Sequence, residues 1–109
     1  QFVKIGDHVM VGGGSLVRKD IPPYVKAARE PISYAGINSI GLSRRGFSDE
    51  TIKSIQDAYR YLFVKGYNTS QALDLIEKNI PASIEKNKIL EFIRSSERGI
   101  MKGSRQISQ

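Results

Sequence analysis

The hydrophobic positions of the first twenty residues recur every six. Ile5, Val11 and Val17 are six apart, Gly6 and Gly12 follow the first two, and Arg18 takes the third slot. Val3 and Val9 stand two positions before Ile5 and Val11, with Ser15 at the third such position. A helix repeats at 3.6 residues and an open strand at 2. A period of six is instead the hexapeptide pattern of a parallel β-helix, with one aliphatic per repeat in a narrow core and small residues at the corners. In the left-handed form three hexads make one triangular coil. Residues 1–24 therefore predict the last coil of a left-handed parallel β-helix. An ordinary β-meander with chance periodicity is the competing reading. One coil cannot bury its own core, because repeat folds need neighbours. Gln1 and Phe2 also begin mid-pattern, so the expectation is a C-terminal piece of a longer protein, cut within its β-helix.

Asp20-Ile21-Pro22-Pro23-Tyr24 closes the coil, since two prolines cannot donate to a ladder. Residues 25–47 read as an extended connection. Pro31 keeps Glu30 out of helix, and the connection ends in a glycine-flanked loop carrying Arg44 and Arg45. From Ser48 the pattern turns helical, and residues 48–109 predict a small α-helical C-terminal domain. Ser48 is the first cap, with Asp49 and Glu50 in the positive first turn. Ile52, Ile55, Ala58, Tyr59, Leu62 and Phe63 form the stripe, and Gly66 supplies the stop. Asn68 and Gln71 have capping-box spacing for a second helix ended by Pro81. A third runs from about Ser83, packing Ile84, Ile89, Leu90, Phe92 and Ile93. Residues 98–109 turn polar and are expected to fray.

Composition narrows the chemistry. There is no cysteine and a single histidine, so a disulfide framework, thiolate chemistry and a multi-histidine metal site are all disfavoured. No apolar run approaches a membrane span and no signal-peptide pattern opens the chain, which makes the cytoplasm the default. The net charge is +6. Residues 1–47 carry seven basic and three acidic side chains, and residues 48–109 carry ten and eight. The excess is concentrated in the part before the helices. It suits phosphorylated ligands, nucleic acid or an acidic partner, and solubility alone also explains it.

Arg44 and Arg45 are the leading candidates for chemistry. Guanidinium forks bind phosphate oxygens in pairs, and a helix N-terminus beside them adds positive potential. An ordinary surface pair satisfying nearby carbonyls is the alternative. His8 falls at a hexad position expected to face outward, as a solvated or interface residue. No Ser/His/Asp set can be assembled, because Asp7 and His8 are strand neighbours pointing to opposite faces. Gly12-Gly13-Gly14 lacks the Lys-Ser/Thr ending of a phosphate loop and reads as corner glycines. Lys4, Arg18, Lys19, Lys26 and Arg29 form either a binding surface or a solvated face. Nucleic acid is not favoured, because no aromatic residues interleave with them.

Taken together, the hexads, the Asp20 to Tyr24 closure and the run Asn38…Gly41-Leu42…Arg44-Arg45-Gly46-Phe47-Ser48 resemble one family. It is the acyl-carrier-protein-dependent UDP-N-acetylglucosamine O-acyltransferases of lipid A synthesis. The resemblance extends through Ala58-Tyr59, Gly66 and Arg98-Gly99-Ile100, nearly the whole chain. It implies transfer of an (R)-3-hydroxyacyl group from 3-hydroxyacyl-acyl carrier protein to the 3-hydroxyl of UDP-N-acetylglucosamine, at sites between subunits of a homotrimer, with no cofactor. Asn38, Arg44 and Arg45 match nucleotide-holding positions of the family, and Gln1 matches a cleft residue. Met10 and Gly13 match the end of the acyl channel. The resemblance also implies that the catalytic histidine and its acidic partner would precede Gln1, since His8 does not match. The chain alone is then expected to be inactive. Two departures stand out. Ile40 occupies a position where the family often has a uracil-contacting Glu, and Arg29-Glu30-Pro31 replaces a common Gly-Asn-His. A different hexapeptide N-acyltransferase, or a non-catalytic module docking an acidic partner, are the other readings.

Overall fold

The computed structural model describes residues 3–13, 17–28, 32–96, 99–101 and 103. Two passes of chain lie parallel, one over the other. Gly6 N–H donates to the Ile21 carbonyl (2.8 Å) and Ile21 N–H to the Lys4 carbonyl (2.9 Å). Strand β1 (Met10–Val11) pairs in parallel with β2 (Val25–Ala28), Met10 opposite Lys26 and Val11 opposite Ala27. Ile5 with Ile21, Met10 with Lys26 and Val11 with Ala27 are each sixteen residues apart. Three full hexads would separate them by eighteen. The step from Val17 to Ile21 is four residues instead of six, and that step removes the difference.

The corner between the paired segments is crowded. A Cβ on Gly6 would lie 2.4 Å from the Pro23 nitrogen, so only glycine fits beneath the Pro-Pro closure. His8 and Tyr24, again sixteen apart, occupy the next position of the corner in successive passes. Both have left-handed backbones, at φ 60° and 74°, a region that non-glycine residues seldom enter.

The second pass is covered on both sides, which the sequence did not indicate. Strand β3 (Ser33–Ile37) pairs antiparallel with β2, giving the order β1-β2-β3. The expected extended connection is thus partly a strand pair. Further back on that same edge, Asp20 N–H donates to the Gly99 carbonyl and Met101 N–H to the Asp20 carbonyl, both at 3.0 Å. Met101 is buried. Fraying is therefore wrong for residues 99–101, because an uncovered strand edge leaves backbone groups that this segment satisfies. The Asp20 carboxylate is buried and reinforces the junction, accepting from Lys4 N–H (2.7 Å) and the Ser96 hydroxyl (2.6 Å). Ile5, expected inside, is 51% exposed on the first pass.

The rest of that connection contains a helix that the pattern does not mark, α1 (Ser39–Arg44), which is short and buries only Leu42. Helix α2 (Asp49–Tyr59) starts as expected, with the Ser48 hydroxyl accepting from Thr51 N–H, and widens into a π-helical turn over Arg60–Val64 before Gly66. Helix α3 (Thr69–Asn79) carries the complete Asn68–Gln71 capping box, and α4 (Ile84–Arg94) starts at a Ser83 cap. One apolar core joins the strands to the helices. The Tyr59 hydroxyl donates to the Pro23 carbonyl (2.7 Å), and Tyr34, Tyr59 and Phe63 pack ring against ring. Ile84 stands outside that core, 70% exposed, while Lys86 is buried.

Candidate functional site

The site forms where the crowded corner meets α1. Asn38 lies between β3 and α1 and is buried. Its N–H donates to the Tyr24 carbonyl (2.8 Å), and its side-chain amide donates to the His8 carbonyl (3.2 Å). Gly41, one turn on, makes room for that side chain. A Cβ there would lie 2.6 Å from the Asn38 amide nitrogen and 2.9 Å from its oxygen.

The chain then leaves α1 through a tight reversal. Arg45 N–H donates to the Gly41 and Leu42 carbonyls, Gly46 takes φ 92°, and Phe47 N–H returns to the Leu42 carbonyl. This reversal brings Phe47 edge-on to His8, with centroids 5.1 Å apart at 77°, and edge-on to Tyr24 at 6.0 Å. His8 and Tyr24 stack at 5.8 Å and 12°. The Arg45 guanidinium donates to Nδ1 of His8. A guanidinium has only donors, so Nδ1 is an acceptor and the ring proton sits on Nε2.

His8 is therefore not a fully solvated residue, one of the two readings the hexad register offers. It is half-buried between two aromatic rings and joined to Asn38 through its carbonyl and to Arg45 through its ring. Its sixteen-residue offset from Tyr24 is the signal that could have revealed this, because it puts both at one corner.

Arg44 and Arg45 do not sit together on a loop. Arg44 is the last residue of α1. It lines an open cleft of about 370 Å³ with Ser39, Ile40, Ser43, Asp49 and Ile52. Ile40 is 68% exposed there. The two guanidiniums thus have different neighbours, and a joint fork is not what the chain presents. Met10 is about half exposed on β1. Gly13 lies in a turn but has open space around a would-be Cβ and no left-handed backbone, so nothing described in this chain requires glycine there. Gln1, Gly14 and the segment 29–31 lie outside the described residues.

Other polar groups are structurally engaged. The Lys4 ammonium donates to the Ser95 carbonyl (2.9 Å) and hydroxyl (3.0 Å), and Lys88 pairs with Asp7 at 3.2 Å. Burial, assisted by the nearby Glu85 and Asp7 carboxylates, pushes the Tyr24 hydroxyl up to about 12. Among the described residues no group of three His, Cys, Asp or Glu could hold a metal ion, and no helix is long and apolar enough to cross a membrane.

The family described as UDP-N-acetylglucosamine O-acyltransferase, domain 2, matches residues 20–101. A curated relative, the acyl-[acyl-carrier-protein]–UDP-N-acetylglucosamine O-acyltransferase of Thiobacillus denitrificans, is 39% identical over 102 residues, 94% of this chain and 40% of the relative. The enzyme of the same name from Myxococcus xanthus is 34% identical over 92% of this chain and 39% of its own length. Among solved structures, a UDP-N-acetylglucosamine acyltransferase from Bacteroides fragilis superposes with a TM-score of 0.92 at 55% identity, covering 94% of this chain and 40% of that one. The chain thus spans about 40% of the length of the relatives it matches.

Proposed function

This chain belongs to the UDP-N-acetylglucosamine O-acyltransferase family, and from that premise we propose that it serves as the C-terminal part of such an enzyme. The reaction is transfer of an (R)-3-hydroxyacyl group from acyl carrier protein to the 3-hydroxyl of UDP-N-acetylglucosamine, which opens lipid A synthesis. Residues 1–24 are then the last coil of a left-handed parallel β-helix, 25–47 the connection bearing the nucleotide-binding residues, and 48–109 the helical C-terminal domain. The enzyme works in the cytoplasm as a homotrimer and needs no cofactor. The general base lies outside these 109 residues.

One observation carries the proposal. Asn38 and Arg45, both at nucleotide-holding positions, converge on the same corner residue, His8. Asn38 is fixed and buried, while Arg45 keeps a solvent-facing guanidinium. An arginine has five donors, and one of them goes to His8, so others remain for phosphate oxygens. Arg44 reaches the nucleotide from the adjoining cleft, and Gln1 is assigned to the nucleotide sugar by the family resemblance alone. Met10 and Gly13 stand at the far end of the acyl channel. The small, exposed face around Gly13 leaves room for a long acyl tail. Ile40 in place of the acidic residue removes one partner for the uracil.

The test is a transfer assay with the purified full-length enzyme, 3-hydroxyacyl-acyl carrier protein and UDP-N-acetylglucosamine, read by mass spectrometry. The expected product is the nucleotide sugar bearing one 3-hydroxyacyl group. A folded enzyme that leaves the sugar unacylated with every chain length offered contradicts the proposal.

A further inference from the structure

The corner formed by His8, Tyr24 and Phe47 is built more elaborately than chain reversal requires. Two non-glycine residues hold left-handed backbones there, at φ 60° and 74°. Their rings stack at 12°, and Phe47 closes the third side edge-on. The imidazole so held offers its unprotonated Nδ1 to Arg45. The same residue's carbonyl receives the Asn38 amide. Asn38 and Arg45 come from opposite ends of α1, and within this chain His8 bonds to both.

We propose that His8 is a positioning residue for the nucleotide site. Its ring aims the Arg45 guanidinium, and its carbonyl fixes the Asn38 side chain, so that both are preset before the nucleoside diphosphate arrives. The aromatic walls keep the ring from turning. His8 itself touches no substrate. Without its acceptor, Arg45 regains the rotamer freedom of a long exposed side chain, whose ordering then opposes binding. The inference rests on the assignment of Asn38 and Arg45 to the nucleotide.

A double-mutant cycle in the full-length enzyme tests it, with KM for UDP-N-acetylglucosamine and kcat measured separately. His8→Phe keeps the ring and removes the acceptor. His8→Gly accommodates the positive φ and keeps the test open if the phenylalanine variant folds poorly. His8→Asn supplies an oxygen near the Nδ1 position and suits a left-handed backbone. Arg45→Ala removes the group being aimed.

The expected result is a three- to tenfold rise in KM for His8→Phe and His8→Gly, with kcat within about twofold of the parent. His8→Asn restores KM to within about twofold. In the Arg45→Ala background, His8→Phe adds nothing further, because the two residues act as a unit. If Arg45→Ala raises KM while folded His8→Phe and His8→Gly do not, the positioning role is overturned and the nucleotide assignment stands. An equal penalty from His8→Phe with and without Arg45 likewise overturns it. If Arg45→Ala leaves KM unchanged, the nucleotide assignment fails and the inference falls with it.

Discussion

At the scale of single residues, two glycines separate geometry from function. Gly41 sits in α1, where alanine would ordinarily stabilise by about 1 kcal/mol. Its Cβ, however, would press on Asn38 at 2.6 Å, and overpacking of this kind costs about 1–3 kcal/mol. Gly41→Ala is therefore expected to lower stability and raise KM for the nucleotide sugar, because Asn38 must move. Urea unfolding and steady-state kinetics check it; a variant more stable than the parent contradicts the contact. Gly13 is the opposite case, with open space and an unstrained backbone. Gly13→Met is expected to leave folding intact and shift preference toward shorter acyl donors, measured by competition between carrier proteins of different chain length. Unchanged selectivity in a folded variant rejects the channel-end role. Arg45 is a candidate from its residue type and glycine-flanked setting, whereas Asn38 and Gly13 are candidates only through the family resemblance. His8 is missed by six-residue counting, which places it outward; only the sixteen-residue offset puts it at one corner with Tyr24.

At the scale of elements, local signals and long-range pairings fared differently. Ser48, Asn68, Gln71 and Ser83 cap where their spacing says they should, because a cap is decided by the next three residues. Six residues hold too little periodicity to mark α1, and Gly41 within it reads as a breaker. Strand β3 pairs with the neighbouring β2, Ser33 opposite Ala28, and reads from the sequence only as extended chain, whereas the 99–101 segment is hidden because its partner, Asp20, is far away in sequence. Lys86 is missed for a different reason, since its residue type gives no sign of burial. It looks like a surface lysine, yet its ammonium donates to the Glu77 (2.9 Å) and Ile80 (2.8 Å) carbonyls and so closes the end of α3. Lys86→Met keeps the stem and strips both bonds. It is expected to destabilise the protein by about 1–3 kcal/mol, seen as a lower urea midpoint with an unchanged slope. No shift in midpoint would show that water replaces the ammonium. Glu77 is different. Its carboxylate is held below the usual range mainly by the Arg94 bond, but an exposed pair of this kind contributes little.

At the scale of the whole molecule, a single core ties the stacked strands to the helices through tyrosines. Burial pushes Tyr24 and Tyr34 up to about 12, and Tyr59 well above its ordinary value. An unfolded tyrosine ionises near 10. Above that pH the unfolded chain gives up protons that the folded chain retains. The stability these groups confer is thus intact below about pH 10 and is lost as pH rises toward 12. The urea midpoint is expected to fall steadily between pH 10 and 11.5, and a flat profile contradicts the burial of these hydroxyls. The same core fixes α1 against the corner, and so determines where Arg44 and Arg45 stand. The central claim is that these two arginines hold the nucleotide of the acceptor, each from its own side. Charge-assisted contacts of this kind contribute roughly 1.5–3 kcal/mol, about ten- to a hundredfold in affinity. The most direct test is calorimetric titration of UDP-N-acetylglucosamine into the full-length enzyme and its Arg44→Ala and Arg45→Ala variants, with circular dichroism to establish folding. Binding weakened about ten- to a hundredfold in each variant is the predicted result; two folded variants that bind as tightly as the parent would contradict the account.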